Sequence, residues 1–209
     1  MRNYEFIVKL PTENDLANSE YNIEYLGNEV LYEMCKKYPS HAVKEQIYAK
    51  LWLIGRSYSA ALERNKSGNK DIYEKTIIKL IDNGFELDEL IKGLLPIVDD
   101  YTMYSVLLAH KKLVDIFKES TNEDKRSLAS KYLHFHRPDI FYIYDSNANS
   151  SVNACVKGSV FYPEGEYDRE YFKFNKKVFA LKVKIKEKYN RDLTPREIDN
   201  LLVNLYKNK

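Results

Sequence analysis

Apolar positions recur at helical spacing along most of this chain. Leu26, Val30, Leu31, Met34 and Cys35 fall at i, i+4, i+5, i+8 and i+9, predicting a helix from about Tyr21 that ends before Pro39. The longest pattern is HAVKEQIYAKLWLIGRSYSAALERN, with Ile47, Leu51, Leu53, Ile54, Tyr58 and Leu62 along its apolar side. A polar loop, Lys66 to Lys70, separates it from helices over Asp71–Asp82, Leu87–Leu94 and Asp99–Lys118, punctuated by Gly84 and Pro96. Ser120-Thr121-Asn122 reads as the cap of a further helix, with Glu123 and Asp124 in its first turn. That helix carries His134 and His136 and stops before Pro138, because proline disfavours helical geometry in the residue before it. A short apolar run, Phe141 to Tyr144, then delivers Asp145, Ser146 and Asn147, three residue types that cap helix N-termini. Gly158 to Asp168 reads as loop. In YFKFNKKVFALKVKIKEKY, Leu181, Val183 and Ile185 alternate as in a strand, while Val178, Leu181, Ile185 and Tyr189 fit a helix; length and lysine content favour the helix. Thr194-Pro195-Arg196-Glu197 is a capping box with proline at the first helical position. At the other end, Tyr4 to Leu10 suits an edge strand or packed extension. The expected fold class is all-α, with eight or so helices.

Composition narrows this further. A chain of 209 residues supports one core, or two lobes (1–120 and 121–209) that share a cleft. Apolar content of 44% with 31% charged residues argues against wholesale disorder, and seven glycines with six prolines argue against a turn-rich β fold. The eighteen tyrosines suit half-buried grooves as well as cores. Net charge is +2, but the stretch from Lys173 onward carries eleven Lys/Arg against four Asp/Glu, which leaves the rest of the chain at −5. That asymmetry fits a polyanion contact, but charge alone favours a solvated lysine-rich helix face. Cys35 and Cys155 lie far apart with no CxxC spacing, as expected of free thiols in a reducing cytosol rather than a zinc or iron–sulfur cluster. No apolar stretch reaches the length of a membrane span and the N-terminus lacks a signal peptide's core, so the expectation is a cytoplasmic protein without a membrane partner.

Chemistry is sparse in the residues themselves. His134 and His136 form an HxH pair near Asp139 and Asp145, but on a helix positions i and i+2 point roughly 200° apart and cannot share one ion. There is no Gly-rich phosphate loop and no GxSxG elbow. What remains is a single acid, Asp145, a lysine, Lys131, and aromatic and basic surroundings. Asp145 can be a cap and nothing more, or a pre-positioned catalytic group. Trp52, Arg56 and Tyr58 can line a cleft or simply belong to a core helix with a snorkelling arginine.

The run ASKYLHFHRPDIFYIYDSNA resembles the 8-oxoguanine-glycosylase-like branch of the helix-hairpin-helix DNA glycosylase superfamily: a lysine-bearing helix, a Leu-His-Phe step, Pro-Asp, an apolar run, then Asp-Ser. IYAKLWLIGRSYSAALER and LTPREIDNLL are also similar to segments of that group. The resemblance implies an all-α, two-lobed fold and a DNA N-glycosylase with Asp145 as catalytic acid. It implies double-stranded DNA with a flipped modified base as partner, no cofactor, no catalytic metal and no obligate protein partner. Trp52, Arg56, Tyr58, His134, Tyr144 and Asn147 are the corresponding candidates for the base pocket. Lys125, Arg126, Arg137, Lys176 and Lys177 are candidates for phosphate contacts. Two features depart from the pattern. The region STNEDKRS has no glycine, so the hairpin is degenerate, and the family's nucleophilic lysine normally lies some eighteen or nineteen positions before the aspartate, whereas Lys131 lies fourteen before Asp145. Monofunctional excision is therefore expected, with Lys131 either nucleophile or a structural or phosphate-binding group. The target reads as oxidised guanine or a modified cytosine of phage DNA. The alternatives are a non-catalytic DNA-binding module with Asp145 as a cap, and a metal-dependent nuclease built on His134, His136 and Asp139.

Overall fold

The computed structural model describes residues 6–18, 25–64 and 71–208. Among these, ten helices and one two-stranded ribbon appear, so the fold is all-α. In chain order they are β1 (Ile7–Val8), α1 (Glu13–Ala17), α2 (Tyr25–Lys37), α3 (Lys44–Ser57), α4 (Ile72–Asp82), α5 (Gly84–Gly93), α6 (Asp100–Thr121), α7 (Arg126–His136), α8 (Ser146–Cys155), β2 (Val156–Lys157), α9 (Arg169–Tyr189) and α10 (Pro195–Lys207). The chain divides into two compact units, Glu24–Phe141 and Met1–Ile23 with Tyr142–Lys209.

In the Glu24–Phe141 unit, α6 packs against α4, α5 and α7, and α3 packs against α2, α4 and α7. Ile47, Leu51, Ile54, Leu80, Leu113, Phe117 and Leu133 are buried at the centre. The other unit seats α8 between α9 and α10, with α1 on α10 and the ribbon on α9. Its core is Ala148, Val152, Val156, Tyr171, Phe174, Val178, Leu181, Leu201 and Leu202. The ribbon is antiparallel, pairing Ile7 with Lys157 and Val8 with Val156, and its inner residue Val156 is fully buried.

Several element ends differ from the sequence expectation, each for a local reason. The helix expected across His41 to Asn65 stops at Ser57. Tyr58 caps it, Ser59 takes a left-handed conformation (φ 53°), and Ala60 N–H donates to Gly55 O at 2.8 Å while Ser59 N–H donates to Arg56 O at 3.3 Å. This is the two-bond Schellman closure. It turns the chain so sharply that a β-carbon on Gly55 would lie 3.0 Å from the Ala61 backbone. The residues Ser120-Thr121-Asn122 end α6 rather than cap α7. Asn122 is left-handed (φ 56°), and Thr121 Oγ1 donates back to Phe117 O at 2.7 Å. Glu123 and Asp124 sit in the connector, where they pair with Lys125 (2.8 Å) and Lys118 (3.0 Å). The helix α1 was not expected, although Thr12 and Asp15 form a capping box around it. The C-terminal capping box at Thr194 and Glu197 forms as expected. The expected start near Tyr21 and the polar loop Lys66–Lys70 lie outside the described residues.

Candidate active site and a second polar cluster

The buried run Ile140–Ile143 leads into α8 through Asp145, whose extended backbone makes it the N-cap residue. Asp145 Oδ1 accepts from the amides of Asn147 (3.0 Å) and Ala148 (2.9 Å). The cap role therefore occurs, and it also fixes the carboxylate at the partly exposed mouth of the helix. Beyond it, α8 presents Ser146, Asn147 and Ser150 to solvent. Tyr144 packs edge-on against Phe174 (5.2 Å between centroids) and Tyr171 (6.3 Å), while the Tyr171 hydroxyl donates to Tyr142 O at 2.8 Å. Tyr144 is thus held from behind by α9, and Asn147 stands free of the core beside the acid.

The lysine-rich end of α9 is less free than its charge count suggests. Lys182 and Lys186 both pair with Asp192 (3.0 and 2.7 Å), and Lys184 pairs with Glu187 (2.7 Å). Lys176 and Lys177 are mostly buried, and Lys177 Nζ donates to Asn153 Oδ1 of α8 at 2.6 Å. Burial pushes the Lys177 ammonium below the ordinary lysine range, and the cations of Lys173 and Lys157 push it further.

The remaining sequence-selected residues belong to the Glu24–Phe141 unit and have defined structural partners. Lys131 is buried; its Nζ donates to Tyr58 O (3.2 Å) and Ser127 Oγ (3.1 Å) and lies 5.7 Å from the Tyr58 ring centre. Lys125 Nζ donates to Arg64 O at 2.7 Å. Lys131 of α7 and Lys125 just before that helix thus hold both ends of the turn that closes α3. Arg126 opens α7, and its carbonyl accepts from His110 Nε2 at 3.3 Å. Trp52 and Arg56 lie on the exposed side of α3, with the guanidinium 5.6 Å from the indole centre and paired with Glu63. The Tyr58 hydroxyl donates to Asn28 Oδ1 at 2.5 Å. Arg137 grips Asp139 and donates to Ile91 O and Leu94 O, so its guanidinium caps the C-terminus of α5.

The two histidines of α7 diverge. His134 is fully buried and bonded at both nitrogens, to Phe141 O (2.7 Å) and the Tyr32 hydroxyl (2.8 Å). A carbonyl only accepts, so Nδ1 carries the proton and Nε2 takes one from Tyr32. His136 instead stacks on His41 with 5.2 Å between ring centres. Among the described residues no three of His, Cys, Asp and Glu converge as metal ligands, and no helix is long and apolar enough to cross a membrane.

Sequence spacing did not reveal the cluster around His41. Its Nδ1 lies 2.5 Å from Asp88 Oδ1, its backbone amide donates to Asp88 Oδ2 (3.0 Å), and its Nε2 meets the Tyr132 hydroxyl (2.9 Å). Burial raises the Asp88 carboxyl, but the bonds from His41 outweigh it and hold it below the usual carboxylate range. Asp88 therefore accepts from Nδ1–H, which leaves Nε2 to accept from Tyr132. Beneath lies Lys50, fully buried, donating to Tyr38 O (2.9 Å) and Ser40 O (3.0 Å), its ammonium pushed down to about 8 by burial. Burial likewise pushes the neighbouring Cys35 thiol up to about 12. A cavity of about 450 Å³ opens beside this cluster, lined by Ser40, Asp88, Ile91, Lys92, His136 and Arg137. His136 Nε2 is enclosed there with no hydrogen-bond partner. The signal was unreadable because His41 and Asp88 are 47 positions apart, and a lone histidine after Pro-Ser marks nothing.

Comparison with known protein families, with characterised proteins and with solved structures finds no match for this chain.

Proposed function

We propose that the protein is a monofunctional DNA glycosylase that removes a damaged or modified base through Asp145. The observation that carries this reading is the placement of that carboxylate. It ends a buried run, is oriented through one oxygen by two α8 amides, and stands partly exposed beside Asn147, in the unit that gathers Lys157, Lys173 and Lys177. A fixed carboxylate gains interaction energy as positive charge builds on the sugar during cleavage of an N-glycosidic bond. The base must leave the duplex stack to present that bond. The glycosidic C–N bond breaks with its electron pair on the base, water supplies the new C1′–O bond, and Asp145 takes the water proton, which is returned to the departing base. The product is an abasic site. Lys131 supports monofunctional rather than lyase chemistry, since its amine is buried and donates to Tyr58 O and Ser127 Oγ. Incubation with DNA containing oxidised guanine, and with phage DNA containing modified cytosines, should give strand breaks only after alkali. Breaks without alkali would return Lys131 to the role of nucleophile, and no base release from either DNA would overturn the reading.

One observation favours a second reading, a DNA-binding module without catalysis. The Asp145 Oδ1 contacts are those of an ordinary N-cap, and a cap alone accounts for them. DNA binding that survives Asp145→Asn, with no excision by wild type, would establish it.

A further inference from the structure

The helix α8 bears a polar line that begins at the candidate acid and runs to a group of lysines. Asp145, Asn149 and Asn153 recur every four residues and so share one face. Asn153 Nδ2 donates to Asn149 Oδ1 (2.9 Å) and Asn149 O (2.8 Å), and Lys177 Nζ donates to Asn153 Oδ1 (2.6 Å). Lys173 lies one turn before Lys177 on α9, and Lys157 follows α8 on β2. Burial, and after it the cations of Lys173 and Lys157, hold the Lys177 ammonium below its ordinary range. Among the described residues no carboxylate pairs with Lys157, Lys173 or Lys177, in contrast to Lys182, Lys184 and Lys186 farther along α9. Gathering three ammonium groups without a counter-charge is unfavourable unless an anion joins them. Lys177 is 5% exposed and hydrogen-bonded, so its position is built into the packing rather than sampled by a mobile side chain.

We propose that Lys157 on β2 and Lys173 and Lys177 on α9, two elements packed against each other and against α8, form a phosphate site that grips the same DNA strand whose base is presented to Asp145. The assignment rests on the DNA reading above. Eight residues of α-helix span about 12 Å. At about 3.4 Å of rise per nucleotide, the gripped phosphate lies about three to four nucleotides from the excised position. Asn149 and Asn153 fill the interval with uncharged hydrogen-bonding groups, which meet the sugar–phosphate backbone without sequence preference.

The test compares wild type with a Lys157→Gln/Lys173→Gln double variant, which leaves Asp145 and the buried Lys177 intact. A Lys184→Gln/Lys188→Gln variant serves as the charge-matched control. Binding of fluorescent duplex DNA across a salt series should weaken several-fold in the first variant, with the log–log salt slope shallower by about 1, and change little in the control. A single uncharged methylphosphonate moved along the strand should weaken wild type at one position, about three to four nucleotides from the target base, and add nothing in the double variant. Equal slopes for wild type and variant would overturn the site. If wild type binds no DNA, titration with inorganic phosphate followed by the Asn153 side-chain amide signals separates the two failures. A saturable shift, lost in the double variant, keeps the anion site and removes the DNA reading, whereas no shift removes the site as well.

Discussion

Asp145 carries two roles that single substitutions separate. Asparagine caps helices about as well as aspartate, whereas alanine forfeits roughly 1 kcal/mol. Asp145→Ala should therefore lower unfolding free energy by about 1 kcal/mol, measured by urea denaturation, while Asp145→Asn leaves it close to wild type. Tyr132 makes a complementary case in the other unit. Its hydroxyl is buried against His41 Nε2 at 2.9 Å, so Tyr132→Phe leaves an enclosed ring nitrogen unpaired. A loss of about 1–3 kcal/mol is expected in the same measurement; no loss would show that this contact does not hold the cluster together.

At the scale of elements, helix identity was legible and helix ends were not. The 3.6-residue pattern located α3, α4, α6, α7 and α9. The end of α3 escaped because Ser59, a residue without a strong preference for the left-handed region, serves where glycine is the usual signal, and the glycine sits four residues earlier to admit the Ala61 backbone. Gly55→Ala should consequently destabilise by about 1–3 kcal/mol despite alanine's better helix propensity, as read by thermal unfolding. Stabilisation instead would mean that the turn yields easily. The cap at Asp145 was readable because an apolar run ends on Asp-Ser-Asn, a short-range signal. Lys131 and Lys125 as clamps on the closing turn of α3 were unreadable, since their acceptors are backbone carbonyls remote in sequence. The candidate site divides along the same line. Asp145, Asn147 and Tyr144 were visible in one short run, but the partners of Trp52, Arg56 and Arg137 depended on how distant segments met.

At the scale of the molecule, two stacked imidazoles set the pH response. Burial lowers His41 and His136 below the ordinary imidazole value of 6.5; the Lys50 cation adds to this for both, while Asp88 partly offsets it at His41. Below 6.5 the unfolded chain binds protons that the folded one refuses, so stability falls as pH drops toward the lowered folded values, by up to about 1.4 kcal/mol per pH unit for each ring. The lowered carboxyl of Asp88 adds loss only below 3.8. Urea midpoints should therefore be nearly level around pH 7, where Lys50 is already protonated in both states, and decline from about pH 6 to pH 5. His136→Phe should flatten that decline, and an unchanged slope would show that His136 does not govern it.

The most direct test of the whole account is base release by Asp145→Asn beside wild type, on DNA carrying oxidised guanine and on phage DNA carrying modified cytosines. The account predicts a variant that folds with wild-type stability, binds DNA and releases no base, while wild type leaves alkali-labile abasic sites. Undiminished release by the variant would contradict it, since the carboxylate would then be a cap and the chemistry would lie elsewhere.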